Sequence, residues 1–132
     1  PDARAVIVGI SSKTTRKEIV RAALEAVSYQ CHDIFSSDLP DALKVDGGMA
    51  ANDLLLQPLA DILQCRVVRP SNLEATAWGA ARCAAIGHGL LSLSSDATIS
   101  GDSFAPTMKK DERQQLLTGW HAAVDSCIKL NA

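Results

Sequence analysis

Gly47 and Gly48 stand between a short apolar run, residues 42 to 45, and a segment of helical periodicity that opens at Asn52. A strand that must become a helix through two residues without side chains makes a flat corner. The glycines admit positive φ and let the backbone approach whatever faces them. The first N–H groups of the following helix lack intrahelical partners and favour negative charge or an acceptor edge. That chemistry suits a nucleotide, although the same spacing also makes a plain tight turn. Asp46, just before the corner, is placed to orient a ligand group or bind magnesium, or to accept backbone N–H bonds at a strand end. Asn52 is a good N-cap, and its amide can also reach a ribose or a base.

The rest of the chain reads as support for this corner. Residues 5 to 10, β-branched and ended by Ile10 after Gly9, predict an extended segment or strand. Thr15 and Glu18 have capping-box spacing, and Ile19, Ala22, Ala23, Ala26, Val27, Ile34 and Phe35 recur at helical intervals, so the spacing predicts a helix over 16 to 36. After the corner, Leu54, Leu55, Leu59, Ile62 and Leu63 predict a helix ending near Gln64, with Pro58 inside it and therefore a local kink. Residues 65 to 70 read as a second strand. Residues 74 to 87 read as a small-residue helix in which Gly79 marks close approach to a neighbour. The Ser-, Asp- and Thr-rich stretch from 91 to 107 reads as a loop, and Leu116, Leu117, Trp120, Val124 and Ile128 predict a last helix over about 110 to 130. Helices alternating with strands imply α/β architecture with parallel strands flanked by helices. Two strands are few for a parallel sheet, so the strand at 42 to 46 is expected to pair with one lying outside this sequence.

Composition narrows the function. A chain of 132 residues, 47% of them hydrophobic, is long enough for one domain with a real core. The formal net charge of −2 supplies no basic field, so no nucleic-acid partner is expected. No apolar run approaches a membrane span, and no membrane partner is expected either. Cys31, Cys65, Cys83 and Cys127 are widely spaced, which predicts reduced core cysteines in a cytoplasmic protein. His32, His88 and His121 are far apart in sequence with no ligand spacing, and read as surface or packing residues. Gly87-x-Gly89 follows a helix and reads as its C-terminus, not as part of a dinucleotide fingerprint. A P-loop and a nucleophile elbow are absent as motifs.

Ala5-x-Ile7-x-Gly9-Ile10, followed after seven residues by Glu18-Ile19-x-x-Ala22-Ala23-Leu24-Glu25, resembles the second signature of the FGGY family of carbohydrate kinases. Val45-Asp46-Gly47-Gly48-Met49-x-x-Asn52, Gln57, Ala60-Asp61-Ile62-Leu63, Val68-x-Pro70 and Glu74-x-Thr76-Ala77-x-Gly79-Ala80-Ala81 are most similar to the members of that family that act on glycerol. Phe104-x-Pro106 and Gly119-Trp120-x-x-Ala123-Val124 extend the resemblance over nearly the whole chain. Pro58, Ala75 and Trp78 depart from the family pattern, as does a short connection between Phe35 and Leu43.

The resemblance implies the C-terminal part of an actin-like ATPase (ribonuclease H-like) domain, the second of two kinase domains, and an incomplete domain. It implies ATP and Mg2+ as cofactors and a small-molecule polyol or sugar as substrate, while the unpaired edge of the strand at 42 to 46 predicts association into a homo-oligomer. Gly47, Gly48 and Asn52 would be the nucleotide-binding residues, as the family's adenosine motif. The family's catalytic base, an aspartate, would lie upstream of Pro1, so none is assigned here and this chain alone is expected to be inactive. The rival expectations are another FGGY kinase acting on a pentulose or pentitol, and a non-enzymatic actin-like nucleotide switch. The signature over residues 5 to 25 favours the kinase over the switch.

Overall fold

The first helix begins where its capping box requires. The Thr15 hydroxyl accepts the Glu18 N–H at 3.4 Å, and the Glu18 carboxylate accepts the Thr15 N–H at 2.7 Å. The Thr15 N–H, and then the Thr15 hydroxyl, which donates to the same carboxylate oxygen at 2.7 Å, lower the Glu18 pKa. The computed structural model describes residues 5 to 35, 39 to 71, 74 to 92 and 100 to 131. Helix α1 covers Arg16–Ile34, followed by strand β1 (Ala42–Lys44), a 3-10 turn at Gly48–Ala51, helix α2 (Asp53–Leu63) and strand β2 (Arg66–Pro70). Helix α3 (Ala75–Gly87), strand β3 (Gly101–Phe104) and helix α4 (Lys110–Asn131) complete the order. No helix among the described residues is long and apolar enough to cross a membrane.

The strands form one sheet in the order β1-β2-β3. β1 and β2 are parallel, with Leu43 opposite Val67, whereas β3 returns antiparallel, with Phe104 opposite Val67. The sheet is therefore mixed, which corrects the expectation of parallel strands alone. It also corrects the expectation of a loop over 91 to 107, of which residues 93 to 99 lie outside the described residues. Gly-Asp-Ser-Phe has little strand propensity of its own, so β3 is seated by its neighbours. Gly101 passes so close to β2 that an added Cβ would collide with the Arg69 carbonyl. β1 is an edge strand, and β2 is its one partner among the described residues.

α2 lies at the centre of the packing. Leu56, Leu59, Ala60 and Leu63 join Cys65 and Val67 in a buried cluster, against which Cys31, Leu43, Val45 and Phe104 pack. The helix runs unbroken through Pro58. Leu54, whose carbonyl loses the donor that Pro58 lacks, is 72% exposed, so water can replace it. Gln64 ends the helix in the left-handed conformation, its side chain donating to the Asp61 carbonyl at 2.6 Å.

Residues 5 to 10 enter no strand among the described residues, and Ile7, Val8 and Ile10 stay exposed. Gly79 marks no close approach among the described residues: a Cβ there would meet nothing of them within 4 Å. Gly87-x-Gly89 does end a helix, with Gly89 at positive φ and the Leu90 N–H donating to the Ala85 carbonyl at 2.8 Å. None of the four cysteines is in a disulfide; Cys65 is buried, Cys31 and Cys127 are half-buried, and Cys83 is exposed, so it is not a core residue. Burial pushes the Cys31 and Cys65 thiols up, the latter against a backbone hydrogen bond from Leu43.

Candidate functional site

The corner after β1 is built as a turn of two parts. Gly47 has φ 87° and ψ 171°, a conformation that L side chains rarely adopt, and its carbonyl accepts the Ala50 N–H at 3.0 Å. Gly48 opens the 3-10 turn, whose Ala50 is fully buried and anchors the corner to the interior. The space beside Gly48 is open, because a Cβ built there meets nothing within 4 Å. Gly47, Gly48 and Asp46 are all exposed.

Asn52 then performs the cap. Its Oδ1 accepts the Leu54 N–H at 3.0 Å, and its backbone N–H donates to the Met49 carbonyl at 3.1 Å. Only Oδ1 is occupied in this way. The amide Nδ2 donates to nothing among the described residues, which leaves one hydrogen-bond donor beside the glycine pair.

A residue not singled out in the sequence holds this corner to the sheet. Arg69, on β2, donates through Nη1 to the Ala50 carbonyl at 3.1 Å and to Asp53 Oδ1 at 2.7 Å. Its Nη2 and Nε reach Asp102 Oδ2 on β3 at 2.6 and 3.1 Å. The guanidinium also lies 5.4 Å from the centre of the Phe104 ring. The two carboxylates raise its pKa above the ordinary arginine value, with the hydrogen bond to Asp102 the larger cause. One planar fork therefore joins the 3-10 turn, α2, β2 and β3. The signal for it in sequence was slight, an arginine next to the strand-ending Pro70.

α2 is tied in turn to the segment before α4. Buried Asp61 accepts the Thr107 and Met108 N–H groups at 2.6 and 3.0 Å through Oδ1, which also lies 3.2 Å from the Gln57 Nε2. Arg113 Nε donates to the Ile62 carbonyl at 2.6 Å. A groove of about 930 Å³ runs between α1, α2 and the start of α4, walled by Leu24, Tyr29, Leu54, Ile62, Met108 and Leu116. It contains Asp53 but none of Gly47, Gly48 and Asn52, so the corner and the groove are separate features.

The histidines are not all solitary. His32 and Asp33 at the end of α1 meet His121 on α4, with ligand atoms within 4.8 Å of one another, whereas exposed His88 only ends α3. Spacing along the chain gave no sign of this, because packing of the first helix on the last creates it. No other group of three potential metal ligands converges among the described residues, so Asp46 has no partners for a magnesium site of its own there.

Comparison with known proteins identifies the family. Residues 1–88 match the FGGY family of carbohydrate kinases, C-terminal domain. The chain is 43% identical to a glycerol kinase of Acinetobacter baylyi over 132 residues, covering 93% of this chain and 27% of that protein. The structure is similar to that of Plasmodium falciparum glycerol kinase with ADP, with a TM-score of 0.80 at 28% identity, covering 96% of this chain and 27% of the other. It is similar in fold to a ligand-bound xylulose kinase of Lactobacillus acidophilus, with a TM-score of 0.76 at 20% identity, covering 98% and 28% of the two chains. The α/β arrangement with a mixed sheet is thus that of the actin and sugar-kinase superfamily. The chain spans about a quarter of the length of the relatives it matches.

Proposed function

From the premise that this chain belongs to the FGGY family of carbohydrate kinases, we propose that it is the nucleotide-binding portion of an ATP-dependent polyol kinase whose substrate is glycerol. ATP supplies the γ-phosphoryl group, a glycerol hydroxyl takes it, and ADP and glycerol 3-phosphate leave. Such transfers depend on positioning and on neutralising phosphate charge. In this reading Gly47 turns the chain, the bare backbone of Gly48 lies against the adenosine, and Asn52 caps α2 with Oδ1 while Nδ2 bonds the nucleotide. The open space beside Gly48 is the observation that carries the reading, because the residue is spared a side chain where the fold itself leaves room for one.

The roles that remain belong to the part of the relatives that this chain does not span. We place there the aspartate that takes the hydroxyl proton, the loops that hold the β- and γ-phosphates, and the carboxylates that share Mg2+ with them. This segment then contributes binding and no catalytic group. It forms the C-terminal portion of the second kinase domain, of ribonuclease H-like topology, with a further strand completing the sheet beside the free edge of β1. The enzyme is cytoplasmic, in keeping with four cysteines outside any disulfide, and a homo-oligomer, in keeping with the exposed apolar residues of α3.

The test is Gly48→Val in the full-length protein. ATP affinity should fall at least tenfold, about 1.4 kcal/mol, with thermal stability nearly unchanged. Affinity within twofold of wild type would mean that the corner is only a turn. A panel of polyols and ketoses assayed with ATP should give fastest turnover with glycerol; a pentulose or pentitol in first place would reassign the substrate. Hydrolysis of ATP indifferent to every acceptor would reject the kinase reading.

A further inference from the structure

His32, Asp33 and His121 form a cluster for which nucleotide binding and phosphoryl transfer have no use. His32 is largely buried, and its Nδ1 has no hydrogen-bond partner, since Asp33 Oδ1 lies 3.6 Å away. A buried imidazole nitrogen left in that state costs free energy unless something occupies its lone pair. The same Asp33 Oδ1 lies 3.2 Å from His121 Nε2, and the ring centres of the two histidines are 6.5 Å apart. The other carboxylate oxygen, Oδ2, accepts the Trp120 indole N–H at 2.7 Å. Trp120 is itself fixed by stacking on Tyr29, with ring centres 5.4 Å apart. Asp33 is thus oriented from behind, with one oxygen directed between two imidazoles, as the outer hydrogen bonds of metal sites orient their ligands.

We propose that His32, Asp33 and His121 bind a divalent cation of the zinc class, which braces the end of α1 against α4. Zinc bonds of about 2.0–2.2 Å in tetrahedral geometry place ligand atoms roughly 3.3–3.5 Å apart. The distances of 3.2 and 3.6 Å from Asp33 Oδ1 straddle that spacing. All three ligand atoms already lie within 4.8 Å, and exposed His121 is free to turn toward His32. Two imidazoles and one carboxylate favour zinc or cobalt over magnesium, which prefers an octahedron of oxygens. A water completes the fourth position. The site is a clip: it fixes the second half of α4, which is otherwise held to α1 by the Tyr29–Trp120 stack and the bonds to Asp33.

The experiment is calorimetric titration of full-length, EDTA-treated protein with Zn2+ in millimolar Mg2+ and without nucleotide. Wild type should bind one equivalent more than His121→Ala, and Asp33→Asn should bind that equivalent at least tenfold more weakly. Cys31→Ser should bind as wild type does. Equal stoichiometry in wild type and His121→Ala would overturn the proposal, as would loss of the equivalent in Cys31→Ser, which would assign it to an adventitious thiolate. Co2+ gives a reading that needs no variant. A tetrahedral visible spectrum without a thiolate-to-cobalt charge-transfer band supports the site, and either an octahedral spectrum or that band rejects it.

Discussion

α2 and α3 are both apolar helices that follow a strand, yet they end in opposite surroundings. Seven of the eleven residues of α2 are buried. None of the described side chains of α3 is in the core; Thr76, Ala77, Ala80, Ala81, Cys83 and Ala84 are exposed, and Trp78 is 54% exposed. Apolar content does not separate the two helices, but its arrangement does. Leu55, Leu56, Leu59, Ile62 and Leu63 of α2 fall on one stripe that fits the sheet, whereas on α3 Trp78, Cys83 and Ile86 lie off the stripe of Ala77, Ala80, Ala81 and Ala84, so apolar residues surround that helix. Tethers add to the difference. α2 is bonded through Asp53 to Arg69, through Asp61 to the start of α4, and through the Ile62 carbonyl to Arg113.

Leu56→Ala should break this contrast most strongly. Leu56 is fully buried beneath the sheet, so its truncation should cost about 2–5 kcal/mol, read from the denaturant midpoint of the domain or from lost hydrogen-exchange protection in α2. A cost below about 1 kcal/mol would show that α2 is not the core. Gly101→Ala comes next. Its Cβ would meet the Arg69 carbonyl and push β3 off β2, at roughly 1–3 kcal/mol, with faster exchange at the amides of 101 to 104. Unchanged exchange there would mean that β3 does not pair as described.

Asn52→Ala should have a smaller effect, about 1 kcal/mol, confined to the first turn of α2, because one capping bond is lost. Asn52→Asp keeps the oxygen and should restore that turn, while replacing the donor nitrogen with a negative oxygen and weakening ATP binding. That pair of variants separates the two duties of the residue. Trp78→Ser should change stability least, by no more than about 0.5 kcal/mol, as for other exposed positions. A loss several times larger in the full-length protein would show that α3 is covered in the assembled enzyme, and the contrast with α2 would then belong to this segment alone.

Much of the frame was legible because it is local. Thr15 and Glu18 announce α1, Asn52 announces α2, and the Gly89 cap ends α3, each through bonds spanning a few residues. The corner was legible for the same reason. What escaped was made by distance along the chain. β3 exists because Arg69 grips Asp102 and Phe104 across the sheet, and nothing in Gly-Asp-Ser-Phe by itself suggests a strand. The meeting of His32 and Asp33 with His121 needs α1 to lie beside α4. Gly79 misled in the other direction: glycine in a helix permits close approach, but on α3 no neighbour among the described residues takes it.

The order β1-β2-β3 also has a consequence in time. β2 can pair with β1 as soon as it is made, but its other edge must wait for β3, since Val67 is paired with Phe104. At roughly 5–20 residues per second of synthesis, that delay lasts on the order of 2–7 s. Throughout it, the innermost strand of the sheet presents a bare ladder of N–H and C=O groups beside the newly formed leucine face of α2. A nascent chain in that interval is open to pairing with another copy of itself, and the hazard passes when Arg69 finds Asp102 and closes the edge.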